Sequence, residues 1–207
     1  MDLVTSNCVI NLTEDKKVVF KKVYQVLKFG GEMYFSDVYA DRRVPEEISR
    51  DPVLRGECLG GVLYCKDFER MVRGVGFTDP RIISKRTLSI NNERIQKLAG
   101  NINFYSITYR LWKLEGLEDA CEDYGHVAVY NGQISQSPFK LELDNGHVFS
   151  ENNPERVCGN TALMLSNTRF EEYFQVTGSF KEHFGTFEKC SNVEQDNKTD
   201  NGNSCCC

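Results

Sequence analysis

The order of apolar and polar runs predicts an α/β fold: a sheet whose first half is parallel comes first, followed by a small α+β domain. Three observations predict it. Leu3 to Val9 is apolar and β-branched, as in an inner strand covered on both faces. A helical run, the Gly30-Gly31 turn and a second strand-like run, Glu32 to Val38, follow within about 35 residues, the span of a βαβ unit. From Tyr124 the texture changes to short alternating runs broken by Asn131-Gly132 and Asn145-Gly146, a hairpin signature.

The elements follow in order. Thr13 offers an N-cap, with Glu14 and Asp15 in the first turn, where the positive end of the helix dipole favours them. Val19, Val23, Val26 and Leu27 recur at helical spacing, and Gly30-Gly31 supplies the positive φ that stops a helix. Residues 45–50 and 53–64 read as helical, although Gly56, Gly60 and Gly61 make the second a weak helix former. Lys66 to Val75 is a clearer helix and Pro80 to Leu88 a strand. Asn91 caps a short helix ended by Gly100, and Ile102 to Leu111 alternates as a long strand. Leu114 to Asp123 is a polar connector, Asn160 to Asn167 a helix, and Tyr173 to Thr177 a strand.

The expected divisions are 1–113 for the sheet domain, 114–190 for the α+β domain and 191–207 for a disordered tail. That tail is rich in Asn, Asp, Ser and Lys and ends in three cysteines.

At 207 residues with 40% apolar side chains, there is enough to pack a core. The net charge of -5 comes from dispersed acids and bases without a basic stripe, which argues against nucleic acid. No apolar run approaches the roughly 20 residues of a bilayer span, and Met1-Asp2 lacks the basic start of a signal peptide. The expected location is therefore the cytoplasm, with no membrane partner. Nine cysteines are many for that compartment, and the adjacent Cys205, Cys206 and Cys207 do not suit a disulfide framework. Binding of a soft metal or metalloid by thiolates is the more informative reading.

In open parallel sheets, ligands sit beyond the carboxyl ends of the strands, which places Ser6, Asn7 and Cys8 where a site is expected. Three segments give that position a context. Ser6-Asn-Cys-Val-Ile-Asn-Leu12, Leu27-Lys-Phe-Gly-Gly-Glu-Met-Tyr-Phe-Ser-Asp-Val-Tyr39 and Gly56-Glu-Cys-Leu-Gly-Gly-Val-Leu-Tyr64 together resemble the arsenite methyltransferase family. That family uses S-adenosylmethionine to methylate trivalent arsenic. The similarity continues through Phe104 to Leu111, Cys158-Gly-Asn-Thr-Ala162 and Thr168-Arg-Phe170, over roughly residues 2 to 189.

The resemblance implies an S-adenosylmethionine-dependent enzyme whose fold is the C-terminal half of a class I (Rossmann-like) methyltransferase sheet followed by a small α+β domain. It implies Cys8 and Cys58 as the catalytic pair of As(III) ligands; Asn7, by its strand-end position, either touches the methionine part of the cofactor or makes an ordinary turn hydrogen bond. A thiol reductant such as glutathione or thioredoxin would serve it. The family's glycine-rich cofactor turn and ribose-binding acid belong to a first half with no counterpart here, so an upstream segment or a partner chain is expected to supply it.

This chemistry suits the residues. Trivalent arsenic is soft, and converging thiolates can replace its hydroxide or glutathione ligands, leaving the arsenic lone pair to take the methyl group. A lone pair needs no general base, which fits the lack of an acid–base constellation around His126, His147 and His183. Cys65 stands where the family commonly has Trp. For Cys65, Cys121, Cys158 and Cys190 packing is the plainer reading, and the aromatic stripe Phe104, Tyr105 and Tyr109 reads as core rather than as a cation box. Rival functions are a non-catalytic thiol protein that binds a metalloid or metal, another small-molecule S-adenosylmethionine-dependent methyltransferase, and an incomplete coding sequence.

Overall fold

The computed structural model describes residues 1–49, 51, 54, 59–90 and 93–188. Its first part is a mixed sheet in the order β1 (Leu3–Asn7), β2 (Glu32–Ala40), β5 (Phe104–Trp112), β4 (Arg81–Thr87). A short β3 (Leu63–Tyr64) extends the β1 side of β2. β1 runs parallel to β2, with Leu3 opposite Glu32 and Asn7 opposite Ser36, whereas β5 is antiparallel to both of its neighbours. The expected βαβ unit is therefore present, with α1 (Lys16–Val26) as its crossover.

Two helices cover one face. Phe20 of α1 and Phe68 of α3 (Cys65–Arg73) meet Phe35, Tyr39 and Tyr109 of the sheet in a ring cluster with centroids 4.5–6.0 Å apart. Edge-on and tilted rings of this kind add to the burial of each side chain, about 1.5–3 kcal/mol per large apolar residue. Val38, Ala40 and Phe104 form a second, smaller core with Ile48 of α2 (Glu46–Ser49) and with Ile95 and Ala99 of α4 (Glu93–Ala99). Phe104 and Tyr109 are thus core, while Tyr105 carries Lys85 Nζ over its ring at 4.2 Å.

Several local readings are corrected. β1 is an edge strand among the described residues: Val4 packs on the core, but Leu3 is 50% exposed and Thr5 and Asn7 are exposed. Its apolar composition predicts cover on both faces, and the described chain covers one. The α1 cap is Asp15, whose carboxylate accepts the Val18 N–H at 3.0 Å, whereas Thr13 donates to Ile10 O. Within 53–64, Gly60 and Gly61 form a turn leading into β3 in place of helix, because β2 offers that stretch a parallel partner. The Asn91 cap, Cys58, Cys190 and the tail with Cys205, Cys206 and Cys207 lie outside the described residues.

The second part is a three-stranded antiparallel sheet in the order β10 (Phe174–Thr177), β6 (His126–Tyr130), β9 (Pro154–Val157), with the β7–β8 hairpin (Lys140–Asp144, His147–Ser150) and α5 (Gly159–Ser166). Asn145-Gly146 turns that hairpin as expected. Asn131-Gly132 does not: β6 pairs with β9 and β10, both distant in sequence. The polar strand Pro154–Val157, with one buried residue, gave no alternating signal.

One buried ion cluster joins the two parts. Arg81, at the start of β4, pairs with Asp79 at 2.8 Å and Asp144 at 3.1 Å, and donates to Thr161 Oγ1 at 3.1 Å. His147 Nδ1 lies 2.7 Å from Asp144, and Asn160 of α5 donates to Asp79 at 2.9 Å. A second tie runs from Arg169 to the buried Glu32 at 2.6 Å. Burial alone would raise the Asp144 carboxyl, but the His147 hydrogen bond and the Arg81 charge outweigh it and hold it below the ordinary carboxylate value.

Arg81→Met should cost about 3–5 kcal/mol in urea unfolding, because it takes the cation away from the buried Asp144 and the half-buried Asp79. A depressed folded-state pKa gives stability above the unfolded value, near 3.9, that is lost as pH falls through the folded value. The stability gap between wild type and Asp144→Asn should therefore be full at pH 6 and close as the pH drops below about 4.

Candidate functional site

Cys8 is where β1 stops being a strand. Its N–H donates to Ser36 O at 2.9 Å, the last rung of the parallel ladder, and its φ is +50°. A non-glycine residue in the left-handed region costs on the order of 1–3 kcal/mol, so the surrounding structure must hold it there. The chain then turns into a short 3-10 helix, Ile10–Leu12. Cys8 is half-buried, and the neighbouring Asn7 is exposed on a shallow groove of about 440 Å³ that it lines with Thr5, Tyr34, Ser36 and Thr108.

The turn after Cys8 is held through Asn11. The Asn11 backbone N–H donates to Asp37 Oδ2 at 3.0 Å, and its side-chain amide donates to Val38 O at 2.7 Å. Lys16 Nζ donates to Asn11 O at 3.3 Å and Thr13 O at 3.2 Å. Asp37 is 1% exposed, and its other oxygen accepts the Val38 N–H at 2.9 Å. Burial pushes its carboxyl above the ordinary value, and the Val38 and Asn11 hydrogen bonds and the Lys16 charge pull it part of the way back.

Gly61 closes the other side of this turn: a Cβ there would lie 1.9 Å from Asn11 O, so only glycine lets the two backbones meet. Gly61 is three residues after Cys58 in the sequence, and Asn11 three after Cys8. The structure thus brings together the chain that follows each of the two predicted ligands. Cys58 itself lies outside the described residues.

Three further described cysteines have local partners. Cys65 Sγ donates to Ala40 O at 3.3 Å, and burial pushes its thiol up, which keeps it protonated and poorly nucleophilic. Cys158 is buried at the foot of α5, its Sγ 3.3 Å from Thr161 Oγ1. The Cys121 carbonyl accepts the Phe187 N–H at 2.8 Å. Thr161 Oγ1 is also 3.4 Å from His147 Nε2, so Asp144, His147, Thr161 and Cys158 form a polar chain that the sequence did not reveal. Its burial within the Arg81 cluster makes it an architectural device. Among the described residues no group of three or more His, Cys, Asp or Glu side chains could hold a metal ion.

Nor do the described residues fit an adenosyl cofactor. A cradle needs a glycine turn that opens a helix at the carboxyl end of a strand. Gly30 and Gly31 instead precede β2 and abut Asn167 O and the Met1 and Asp2 carbonyls, while Gly61 abuts Asn11. Among the described residues no helix is long and apolar enough to cross a membrane.

Comparison with known proteins decides the family. Residues 124–203 match the arsenite methyltransferase C-terminal domain, and residues 1–100 match a methyltransferase domain. An arsenite methyltransferase of Aquipseudomonas alcaligenes is 51% identical over 189 residues, 91% of this chain and 55% of that protein. The chain belongs to the arsenite methyltransferase family.

The human arsenite methyltransferase is 39% identical over 195 residues, 93% of this chain and 50% of its own length. A crystal structure of an arsenic(III) S-adenosylmethionine methyltransferase from Chlamydomonas reinhardtii superposes with a TM-score of 0.87 at 48% identity. It covers 90% of this chain and 62% of that one. The chain thus spans about half the length of the curated relatives it matches. Its fold is a class I methyltransferase-like α/β sheet, as the resemblance implies.

The roles of Asp37, Asn11 and Gly61 in holding the turn after Cys8 went unrecognised. The available signals were an acid in the middle of a largely apolar strand and a glycine pair in a presumed helix. Gly61→Ala should lower stability by about 1–3 kcal/mol, since backbone must move to admit the methyl group. It should also change the alkylation rate of Cys8. Gly74→Ala, where a Cβ would meet its nearest atom at 3.4 Å, should do neither; urea unfolding and mass-mapped labelling read both.

Proposed function

We propose that this chain carries the arsenic-binding centre of an arsenite methyltransferase, an enzyme that transfers a methyl group from S-adenosylmethionine to thiol-bound trivalent arsenic. Cys8 and Cys58 are the arsenic ligands, and Asn7 borders the donor. The observation that supports this most is the packing of Gly61 on Asn11, which ties the chain beyond Cys58 to the turn beyond Cys8. The work falls within residues 1–113, with 114–190 as a packing module. It is cytoplasmic work, in a compartment that keeps thiols reduced.

The chemistry needs little beyond placement. Each thiol displaces a hydroxide or a glutathione from arsenic, its proton leaving with the displaced ligand as water or free thiol. The bound arsenic keeps its lone pair, and methyl transfer to that lone pair requires alignment rather than a base. The donor's cradle is not built by the described residues, so this chain's part in the reaction is to grip and orient the arsenic. Methyl transfer breaks the donor's S–C bond and raises arsenic formally to As(V), and a thiol reductant, glutathione or thioredoxin in class, supplies the two electrons that return it to As(III), becoming a disulfide.

Arsenite should protect Cys8 and Cys58 from iodoacetamide while leaving Cys65 and Cys121 as reactive as before, measured by peptide mass mapping of the full chain. Equal labelling of Cys8 and Cys58 with and without arsenite would contradict the proposal.

A further inference from the structure

Asp37 has no evident reason to be acidic on packing grounds alone. It sits on β2 among Met33, Phe35 and Tyr39, one strand turn from an aromatic core, at 1% exposure. An ionisable side chain there is costly unless hydrogen bonds recover the loss. Both of its oxygens accept backbone N–H groups, one from Val38 on its own strand and one from Asn11 across the turn. The second bond is the informative one. It joins the carboxyl end of β2 to a residue 26 positions earlier, three after Cys8.

The turn is short, and the hold on it is complete. Cys8 is fixed on its N-terminal side by the rung to Ser36 O. On the C-terminal side Leu12 donates to Val9 O at 3.1 Å and Thr13 to Ile10 O at 3.0 Å, which closes a compact loop. Asn11 is its anchor, with its amide on Asp37, its side chain on Val38 and its carbonyl on Lys16. Lys16 is the charged group that faces Asp37 and favours its carboxylate form. The φ of +50° at Cys8 is a conformation this loop must impose, because an unrestrained cysteine would leave it.

We infer that Asp37 is a positioning residue for the arsenic-binding thiol, fixing through Asn11 the backbone turn that presents Cys8. The inference rests on the reading of Cys8 as an arsenic ligand. A thiol on a loosened turn would still react, but it would meet a second sulfur less often, so the loss should fall on two-point arsenic binding.

The test uses the full chain with Asp37→Asn, Asp37→Ala and Asn11→Ala. Two quantities are read: the As(III) dissociation constant, and the iodoacetamide rate at Cys8 relative to Cys121. Asp37→Ala leaves the Asn11 amide without its acceptor and should weaken As(III) binding by about tenfold or more, the usual scale for a lost bond to a charged group. The Cys8 rate should rise while the Cys121 rate holds. Asp37→Asn, which keeps one carbonyl acceptor, should recover most of both effects, and Asn11→Ala should fall between.

Should Asp37→Ala unfold, Asp37→Asn and Asn11→Ala carry the test, because each removes part of the hold without leaving a charge buried alone. Wild-type values of both quantities in all folded variants would overturn the inference. So would parallel changes at Cys8 and Cys121, the mark of general loosening. If the wild-type chain shows no As(III) protection of Cys8, the functional reading fails while the Cys8 rate still tests the role of Asp37.

Discussion

The Asp37 carboxylate, buried at the carboxyl end of β2, receives the Asn11 amide at 3.0 Å and so fixes the path of the chain after Cys8. Much of the site's geometry follows from that bond. β1 can pair with β2 only as far as Asn7, because the loop must turn back to bring Asn11 onto Asp37. The turn forces Cys8 into the left-handed region, and the Asn11 carbonyl then meets Gly61, where a side chain larger than hydrogen would not fit. A buried carboxylate is an expensive anchor in folding terms. It is also a rigid one, since two backbone donors fix its plane.

The rest of the molecule supports that anchor from a distance. The ring cluster of Phe20, Phe35, Tyr39, Phe68 and Tyr109 holds β2 against α1 and α3, so the strand that bears Asp37 has little freedom to shift. At the far side of the sheet, Arg81 and its two carboxylates lock β4 to the α+β module. Thiol chemistry is kept local by environment as much as by position. Cys65 is raised in pKa by burial, and Cys158 is enclosed within the Arg81 cluster. Cys8 is half-buried at a strand end.

The sequence made the sheet readable because its elements obey local rules. Leu3 to Asn7, Glu32 to Ala40 and Phe104 to Trp112 are strands by composition, but α1 ends at Val26 with an extended Leu27, and the positive φ of Gly30 serves the turn into β2 instead of stopping the helix. What stayed hidden depends on contacts between distant residues. Gly60 and Gly61 look like weak helix, and only the approach of Asn11 explains why glycine is needed. Asp15 outcompetes Thr13 as a cap because Thr13 is already used to close the preceding turn. β9 carries too few apolar residues to announce itself, and it forms because β6 presents an edge. Cys8 stands at the end of β1, as the sequence predicts, whereas Asp37 was one acid among many until its partner came into view.

The proposal that Cys8 and Cys58 jointly hold one arsenic atom through their sulfurs is open to a direct count. X-ray absorption at the arsenic edge, on chain loaded with one equivalent of As(III) and with Cys205, Cys206 and Cys207 replaced by serine, counts those sulfurs directly. The account predicts a sulfur-dominated shell that loses one sulfur in Cys8→Ser and one in Cys58→Ser, with oxygen taking its place. An arsenic shell unchanged by either substitution would contradict it.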